Sequence, residues 1–499
     1  MAGDTPGNRG VRSAADAAGR VEWPDSQEAE RRVLRIQSKF HDWAAADAGR
    51  VFDDLYNLVA DPAFLAVAWR RVRSNKGART AGIDGWTAPG IEASAGGVIG
   101  FLSRIRTDLK NRTFVPLPVG ERMIPKTNGK LRRLGIPTAR DRVVQAVLKL
   151  VLEPIFEPGF SSSSYGFRPG RRAQDAIEDI LHHARTGYEW VFETDIAACF
   201  DEIDHTALMS RVRRRISDKR VLRLIKAFLH AGVLTGEGVL RDTRSGAPQG
   251  GILSPLLANI ALSAIDEHFD REWSRHADAY RRHRHRKNGG ATYRLIRYAD
   301  DLAVMVFGTR AQAQALQAEV ARVAATVGLR LAQDKTRTVH IDDGFDFLGW
   351  HIQRHTQRGS NRRRVYTYPS TRAVKAVRSR IKTLTGRQTI NTAPDEIFTQ
   401  LGMTLRGWTT YFRHGASKAA FSELEHYLWH RVWKWLRRRH RRRHWRWIVR
   451  TYAGPHNRWG FTADGVELFN PAAVRIQRYR YRGNAIPTPW TSAPAPPQA

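Results

Sequence analysis

Two adjacent acids between two strand-forming runs constrain this chain most. The segment Tyr293–Phe307 reads YRLIRYADDLAVMVF, with aliphatic and aromatic residues on both sides of the acids. This pattern predicts a hairpin whose turn presents Asp300 and Asp301. Adjacent carboxylates beside an apolar sheet repel each other and lose hydration, so a metal cation would be their natural neutraliser. Taken alone, the pair is more typical of a solvated Asp-Asp turn.

A second acidic position, Asp195, stands at the end of another predicted strand, Trp190–Glu193. On neighbouring strands, Asp195 and Asp300 would bridge two Mg²⁺ ions about 3.5–4 Å apart, the arrangement that supports in-line phosphoryl displacement. Asp301 would be a weaker metal ligand or a supporting partner. Two acidic sites in separate strands therefore favour a two-metal centre.

A glycine-rich loop lies between these two acidic sites. Residues 245–259 read SGAPQGGILSPLLAN, and the glycines allow another backbone to approach closely. An apolar helix is predicted to begin near Ser254–Pro255. Alone, this could be any loop that enters a helix, but its position between the acids makes the whole set far more specific.

The net charge favours a polyanionic partner. The chain has 82 Lys and Arg against 48 Asp and Glu, a formal charge of +34. A charge of this size is hard to explain without nucleic acid. A basic membrane-surface protein is the alternative, but no apolar run reaches the roughly 18 residues that a spanning helix requires. The 42% hydrophobic content excludes a wholly disordered chain.

Cysteine usage and the N-terminal sequence indicate the compartment. Cys199 is the only cysteine, which excludes a disulfide framework and a zinc site built on cysteine pairs. The N-terminus has no apolar stretch typical of a secretory signal. The sequence therefore predicts a cytoplasmic protein, and the Arg-rich and Ala-rich usage would suit a bacterial source.

In this order, Asp195, GAPQGGILSPLLAN and YADD resemble motifs A, B and C of reverse transcriptases. Further segments narrow the resemblance to the group II intron-encoded reverse transcriptase and maturase family, over roughly residues 50–450. These segments are the first fingers block at Ile124–Pro137 with Asp141–Gln145, the second block at Ser164–Gly170, motif D at Gly328–Leu329 with Lys335–Thr336, the primer-grip block at Phe347–Trp350, and maturase domain X at Leu405–Phe412.

The resemblance implies an α+β fold, a right-hand polymerase of fingers, palm and thumb with an α-helical maturase domain X. It divides the chain into a partly disordered N-terminal extension (1–50), fingers and palm (51–355), thumb and domain X (356–455), and a basic C-terminal segment with a disordered tail (456–499). The mixed strand and helix signals of residues 194–350 agree with a palm. The basic amphipathic helices after Tyr366 agree with a thumb.

The activity implied by the resemblance is RNA-directed DNA polymerisation, with two Mg²⁺ ions that promote transfer of dNMP onto a primer 3′-hydroxyl. The implied partners are template RNA, a DNA primer or target, and an intron RNA that the protein binds in a ribonucleoprotein to assist splicing and mobility. A catalytically silent RNA-binding splicing factor and a reverse transcriptase of another lineage are the alternatives. The implied catalytic and metal-contacting positions are Asp195, Ile196, Asp300 and Asp301.

The resemblance also implies a dNTP pocket. Lys126 and Arg132 would hold the triphosphate, because cations meet its dense negative charge there. Phe200 would pack under the sugar and exclude a 2′-hydroxyl, or it would be a core aromatic. Gln249 would line the pocket for the templating pair. Lys335 would approach the phosphates, or it would be a simple surface lysine.

The basic C-terminal half is predicted to bind RNA. Between His426 and Arg450 there are ten Lys or Arg and no acid, interleaved with tryptophans. Periodic tryptophans, Trp435 above all, are more often core residues than base platforms. Trp350 and Gly349 would position the primer or fill the junction between sheet and thumb. The predicted primer, template and RNA contacts are Gly349, Trp350, Arg378, Arg406, Arg437, Arg438 and Arg441.

No HNH endonuclease is expected at the C-terminal end. Members of this family often end in a zinc-dependent HNH module, but no cysteine pair follows domain X here. Only His456–Asn457 hints at such chemistry. Residues 454–482, with Arg478, Arg480 and Arg482, are a candidate DNA-contacting patch, and the chain from Pro487 onward is expected to be a loose tail.

Overall fold

The computed structural model describes residues 22–125, 131–243, 245–276, 278–357, 359–453, 460–483 and 485–491. The α-helices in these ranges are α1 Ser26–Ala46, α2 Tyr56–Val59, α3 Pro62–Ser74, α4 Ala88–Glu92, α5 Gly97–Asn111, α6 Ala139–Phe156, α7 Ala173–Arg185, α8 Cys199–Glu202, α9 His205–Arg213, α10 Lys219–Leu229, α11 Ser254–Arg275, α12 Ala279–Lys287, α13 Arg310–Ala325, α14 Thr371–Leu384, α15 Pro394–Phe412, α16 Lys418–Arg439 and α17 Trp445–Tyr452. The strands are β1 Val119–Pro125, β2 Leu131–Ile136, β3 Trp190–Ala197, β4 Val233–Leu234, β5 Leu240–Arg241, β6 Thr292–Tyr298, β7 Asp301–Phe307, β8 Arg330–Leu331, β9 Arg337–His340, β10 Phe345–Phe347, β11 Trp350–Thr356, β12 Arg363–Pro369, β13 Thr462–Ala463 and β14 Val466–Glu467.

The chain folds into two compact units. The first unit comprises residues 1–159, 198–261 and 489–499, and the second comprises residues 160–197 and 262–488. Neither unit is one continuous stretch of sequence, because the chain leaves the first unit after Gly159 and returns to it at Ala198. The linear domain boundaries expected at residues 50, 355 and 455 remain a prediction.

The first unit is built around α6, which is buried on nearly all sides. Its apolar residues from Val143 to Phe156 lie on several sides of the helix, so the helix must be enclosed, and here α1 and α3 pack against it. Thr138 caps α6 by accepting a hydrogen bond from the backbone of Asp141. The antiparallel hairpin β1–β2 pairs Ile124 with Arg132. A short parallel contact adds β4 beside β1.

We expect Asp141 to make the stability of the protein depend on pH. The carboxyl group accepts hydrogen bonds from Thr138 Oγ1 (2.8 Å) and the Leu117 amide (3.1 Å), and burial raises its pKa to about 6. Because the folded-state pKa lies above the ordinary value, stability present below pH 4 is lost as pH rises through about 6. Asp141→Asn should therefore unfold with a free energy up to about 3 kcal/mol higher than wild type at pH 8. Denaturant titrations at pH 4.5 and 8 test this, and a difference that does not change with pH would contradict it.

The second unit contains a five-stranded antiparallel sheet. Its strand order is β6-β7-β3-β8, and β9 also pairs with β3. Helix α13 begins at Thr309, whose side chain and that of Gln312 form a reciprocal capping box. The chain leaves the end of this helix through Gly328, which adopts a φ of +77°. Thr309 and Gly328 thus mark the start and the end of this helix.

Further along the second unit, β10–β12 form a three-stranded antiparallel sheet and α14–α17 form a helical region. The apolar stripe of α14 is buried at Val377, Ile381 and Leu384. The apolar stripe from Phe421 to Trp435 on α16 is buried as well. Helices and mainly antiparallel sheets together confirm the α+β class. In the described ranges, no helix is long and apolar enough to cross a membrane.

The C-terminal segment differs from the prediction. Arg482 donates two hydrogen bonds to the buried Asp175 carboxylate (2.8 and 2.6 Å), so its assignment to a DNA-contacting patch is wrong. Tyr481 donates to Asp179 (3.0 Å). The prediction of a loose tail from Pro487 is also wrong for the residues up to 491, because Trp490 is buried in the first unit. The side chains of this segment contact residues that lie far away in the sequence, and the composition of the segment does not indicate such contacts.

Candidate active site

The strand register brings the three predicted acids together in the second unit. Strand β3 pairs antiparallel with β7, and Asp195 lies directly opposite Asp301. Strands β6 and β7 form the predicted hairpin, in which Asp301 pairs with Tyr298. Asp300 occupies the turn, and its backbone carbonyl accepts a hydrogen bond from the Ile196 amide (3.3 Å). Neighbouring strands therefore carry the two acidic sites, as the sequence predicted.

A buried arginine supports this turn. Arg297 is fully buried and donates two hydrogen bonds to Asp266, at 2.7 and 2.6 Å. It also donates to the Ala299 carbonyl (3.0 Å) and to Ser164 Oγ (2.7 Å). Ala299 adopts a φ of +58°, a conformation that L-residues rarely take. Sequence reasoning missed Arg297 and Asp266, although an arginine inside the apolar run YRLIRY was a visible signal.

The electrostatics of the carboxylates call for a cation. Asp195 is 9% exposed, and its Oδ1 is buried and receives no hydrogen bond from any described residue. Burial, followed by the negative charges of Asp195 and Asp300, raises the pKa of Asp301 to about 7. Lys335 forms an ion pair with Asp195, and this hydrogen bond raises the pKa of the lysine. Two carboxylates opposite each other, one with an unsatisfied oxygen, fit a positively charged ligand.

The donor set suits Mg²⁺, which prefers carboxylate oxygens. Ile196 could contribute only its backbone carbonyl, because its side chain is aliphatic and buried. Among the residues that the structure describes, no three His, Cys, Asp or Glu side chains are arranged as a ready-made metal cluster. The chemistry of the acids therefore fits metal ions, and Lys335 is the cation that pairs with Asp195 in this structure.

The carboxylates open onto a cavity of about 440 Å³ within the second unit. Gly349 lines it with a φ of +81°, which explains the glycine at this position of the predicted primer-grip block. Trp350 is 1% exposed and packs on Phe412 at a ring distance of 4.8 Å. Trp350 therefore does not offer its ring to a primer, and it fills the junction between sheet and thumb, the alternative stated for it. Charged side chains around the cavity are Glu193, Asp195, Asp301, Asp334, Lys335, Arg337, Asp346 and Arg372.

Comparison with known proteins identifies the family. Residues 124–352 match the family described as reverse transcriptase (RNA-dependent DNA polymerase), and residues 374–453 match the group II intron maturase-specific domain. Protein YkfC of Escherichia coli is 37% identical over 360 residues, which cover 68% of this chain and 93% of YkfC. The chain belongs to the group II intron-encoded reverse transcriptase and maturase family.

Another relative is the group II intron-encoded protein LtrA of Lactococcus lactis, 33% identical over 349 residues. The match covers 61% of this chain and 57% of LtrA, so the chain spans little more than half of that protein. The nuclear intron maturase 1 of Arabidopsis thaliana is 28% identical over 298 residues, covering 44% of this chain and 42% of that protein. Together with the fold, these matches confirm a right-hand polymerase followed by a maturase domain.

Of the residues expected in the dNTP pocket, Arg132, Phe200 and Gln249 belong to the first unit and Lys335 to the second. The amide of Gly135 donates to the Gln249 carbonyl (2.7 Å), and Gly250 packs so closely that a Cβ would lie 2.4 Å from the Gly135 carbonyl oxygen. Phe200 is half-buried. Arg132 is exposed on β2, whereas Lys126 lies outside the described residues. Their roles in dNTP binding remain predictions.

The residues expected to bind RNA occupy different environments. Arg378 pairs with Glu423 (2.5 Å), and Arg406 lies over the ring of Phe469 at 4.8 Å. Trp435 is fully buried and donates to Thr389 Oγ1 (3.2 Å), which confirms the structural alternative for this tryptophan. Of the remaining arginines, Arg437 and Arg441 are exposed and Arg438 is half-buried. His456–Asn457, the only hint of an endonuclease, lies outside the described residues.

Proposed function

We propose that this protein is an RNA-directed DNA polymerase that adds dNMP to a primer 3′-hydroxyl by two-metal catalysis. The observation that carries the proposal is the pairing of Asp195 with Asp301 beside Asp300, with one carboxylate oxygen left unsatisfied. Family membership supports the reaction class, since the matched reverse transcriptase region includes all three acids.

The bound Mg²⁺ ions would activate the primer hydroxyl and stabilise the pyrophosphate that leaves. Asp195 on β3 and Asp300 in the turn before β7 would hold these ions, with Asp301 as a weaker ligand and the Ile196 carbonyl as a further oxygen donor. Lys335 would leave Asp195 and turn to the triphosphate, because a phosphate offers its ammonium group a comparable charge. Lys126 and Arg132 would bind the triphosphate from the fingers, and Phe200 and Gln249 would contact the sugar and the templating pair.

The second part of the proposal is that the protein binds an intron RNA and assists its splicing and mobility. The maturase-domain match and the basic, acid-free stretch from His426 to Arg450 support this partner. Arg437, Arg438 and Arg441 are the proposed phosphate contacts. The ribonucleoprotein would act in the cytoplasm of a bacterial cell.

Mg²⁺-dependent primer extension on an RNA template with dNTPs tests the polymerase, with wild type compared with Asp300→Ala. We expect extension by wild type and its loss in the variant, while both proteins bind RNA equally in a salt-dependent way. Because Asp300 lies in a turn and is half-buried, circular dichroism of the variant must show that it remains folded. No extension by either protein, with tight RNA binding retained, would replace the polymerase proposal with the silent splicing factor.

A further inference from the structure

A loop is docked along the strand that leads into the catalytic turn. The segment around Ser164 forms a parallel bridge with Arg297 on β6. The Tyr165 amide donates to the Arg297 carbonyl (2.8 Å), and the Arg297 amide donates to the Ser163 carbonyl (2.9 Å). These backbone hydrogen bonds fix the loop two residues before Ala299, where the turn begins.

The next residue of the loop, Gly166, touches the turn itself. A Cβ at this position would lie 2.3 Å from the Ala299 nitrogen and 2.9 Å from the Tyr298 carbonyl carbon. Only glycine permits that approach, because both neighbouring atoms are backbone. On the other side, Arg168 is buried and donates to the Ser164 carbonyl (2.8 Å). The residue between these two anchors therefore has little freedom to move.

That residue is Phe167, and its conformation is unfavourable for folding alone. It adopts a φ of +58°, where glycine or asparagine would be less strained, and 48% of its surface is exposed. A phenylalanine retained for stability would bury its ring. Strained residues concentrate at functional sites, where the surrounding structure holds them in place. Here the anchors hold an exposed aromatic ring beside the turn that carries Asp300.

We propose that the Phe167 ring is a stacking platform for a nucleobase of the bound template–primer, close to the site of nucleotide addition. The inference rests on the proposed polymerase function. A flat apolar face stacks on any base, so it adds affinity without sequence preference, which suits an enzyme that copies every sequence. Most polar side chains around the nearby cavity are charged, and Phe347, the aromatic residue that also lines it, is only 3% exposed and offers no such face. Phe167 thereby complements the phosphate contacts of the arginines.

Binding of an RNA template–DNA primer duplex with a template overhang, followed by fluorescence anisotropy without dNTPs, tests this proposal. Phe167→Ala should weaken binding by about 5- to 100-fold, the range for the loss of one base–aromatic stack. Phe167→Trp should bind within a few-fold of wild type. Tyr280→Ala is the matched control, since Tyr280 is an aromatic residue that is 72% exposed on α12, and it should bind as wild type does.

Two further measurements separate stacking from a structural role. Phe167→Gly relieves the strained φ, so its melting temperature should equal or exceed that of wild type while its binding falls as in Phe167→Ala. A 2-aminopurine in the template next to the primer end should change its fluorescence on binding wild type, and this change should be lost in Phe167→Ala.

Unchanged binding by Phe167→Ala, or a lower melting temperature that accounts for its weaker binding, would overturn the stacking proposal. Binding is measured without dNTPs, so it can be interpreted even if the protein has no polymerase activity. A protein that binds the template–primer but does not extend it would refute only the polymerase proposal. A wild-type protein that extends primers while Phe167→Ala keeps its template–primer KM refutes only the stacking.

Discussion

Asp195→Asn should lower Mg²⁺-dependent primer extension by about 10³-fold or more and leave the fold intact. Asp195 lies opposite Asp301, and its Oδ1 is buried without a hydrogen-bond donor among the described residues. A metal ion held there stabilises the transition state by several kcal/mol, and each 1.36 kcal/mol is worth about tenfold in rate. The amide keeps the volume of the carboxylate but loses the charge that holds the cation.

The matched control is Asp346→Asn. Asp346 lines the same cavity but lies on β10, where it pairs with His351 (2.7 Å). Its loss should change extension by no more than a few-fold, because it has no place in the proposed metal site. Equal losses of extension in Asp195→Asn and Asp346→Asn would contradict a specific metal site at Asp195, because any negative charge in the cavity would then have the same effect. Circular dichroism and melting temperature verify that both variants fold.

Arg297→Met should destabilise the protein by about 3–5 kcal/mol, the cost of leaving a buried carboxylate without its partner. Arg297 and Asp266 are 0% and 1% exposed, and the guanidinium also serves the Ala299 carbonyl and Ser164. Methionine fills much of the space but cannot donate a hydrogen bond. Guanidinium chloride unfolding measures the loss, and extension should fall as well because the turn at Ala299 loses its support.

Arg337→Met is the control for this second prediction. Arg337 pairs with Glu193 at 2.8 Å, but its side chain is 52% exposed, so water screens the pair. The Glu193 side chain is 14% exposed, so Arg337→Met should cost some stability, but less than Arg297→Met, where both partners are fully buried. Adding Asp266→Asn to Arg297→Met should recover part of the lost stability, because the unpaired buried charge is removed. A double variant less stable than Arg297→Met would show that Asp266 has another essential partner.

Several features of the site were predictable because they depend on local sequence. The hairpin around Asp300 and Asp301 follows from two strand-forming runs, and α13 follows from helical periodicity with a capping threonine. The burial of Trp435 follows from its place in an apolar stripe. In these cases the pattern of neighbouring residues specifies both the element and the face that is buried.

Other features depend on contacts between distant parts of the chain. The pairing of Arg482 with Asp175 joins residues about three hundred positions apart, so nothing near Arg482 distinguishes it from an arginine that binds DNA. The burial of Trp350 and of Trp490 likewise depends on the elements that cover them. Arg297 on β6 was overlooked because Asp266, the partner that makes its buried charge tolerable, lies on helix α11.

The sequence by itself determined the family, the α+β class and the identity of the three acids, because motif residues and strand patterns are local and ordered along the chain. Tertiary structure alone decided that Asp195 stands opposite Asp301, that Arg297 supports the turn, and that Phe167 is held in a strained, exposed conformation beside it. Register, burial and ion pairing arise only when distant segments pack together. Their energies depend on solvent exclusion, which a linear sequence does not specify.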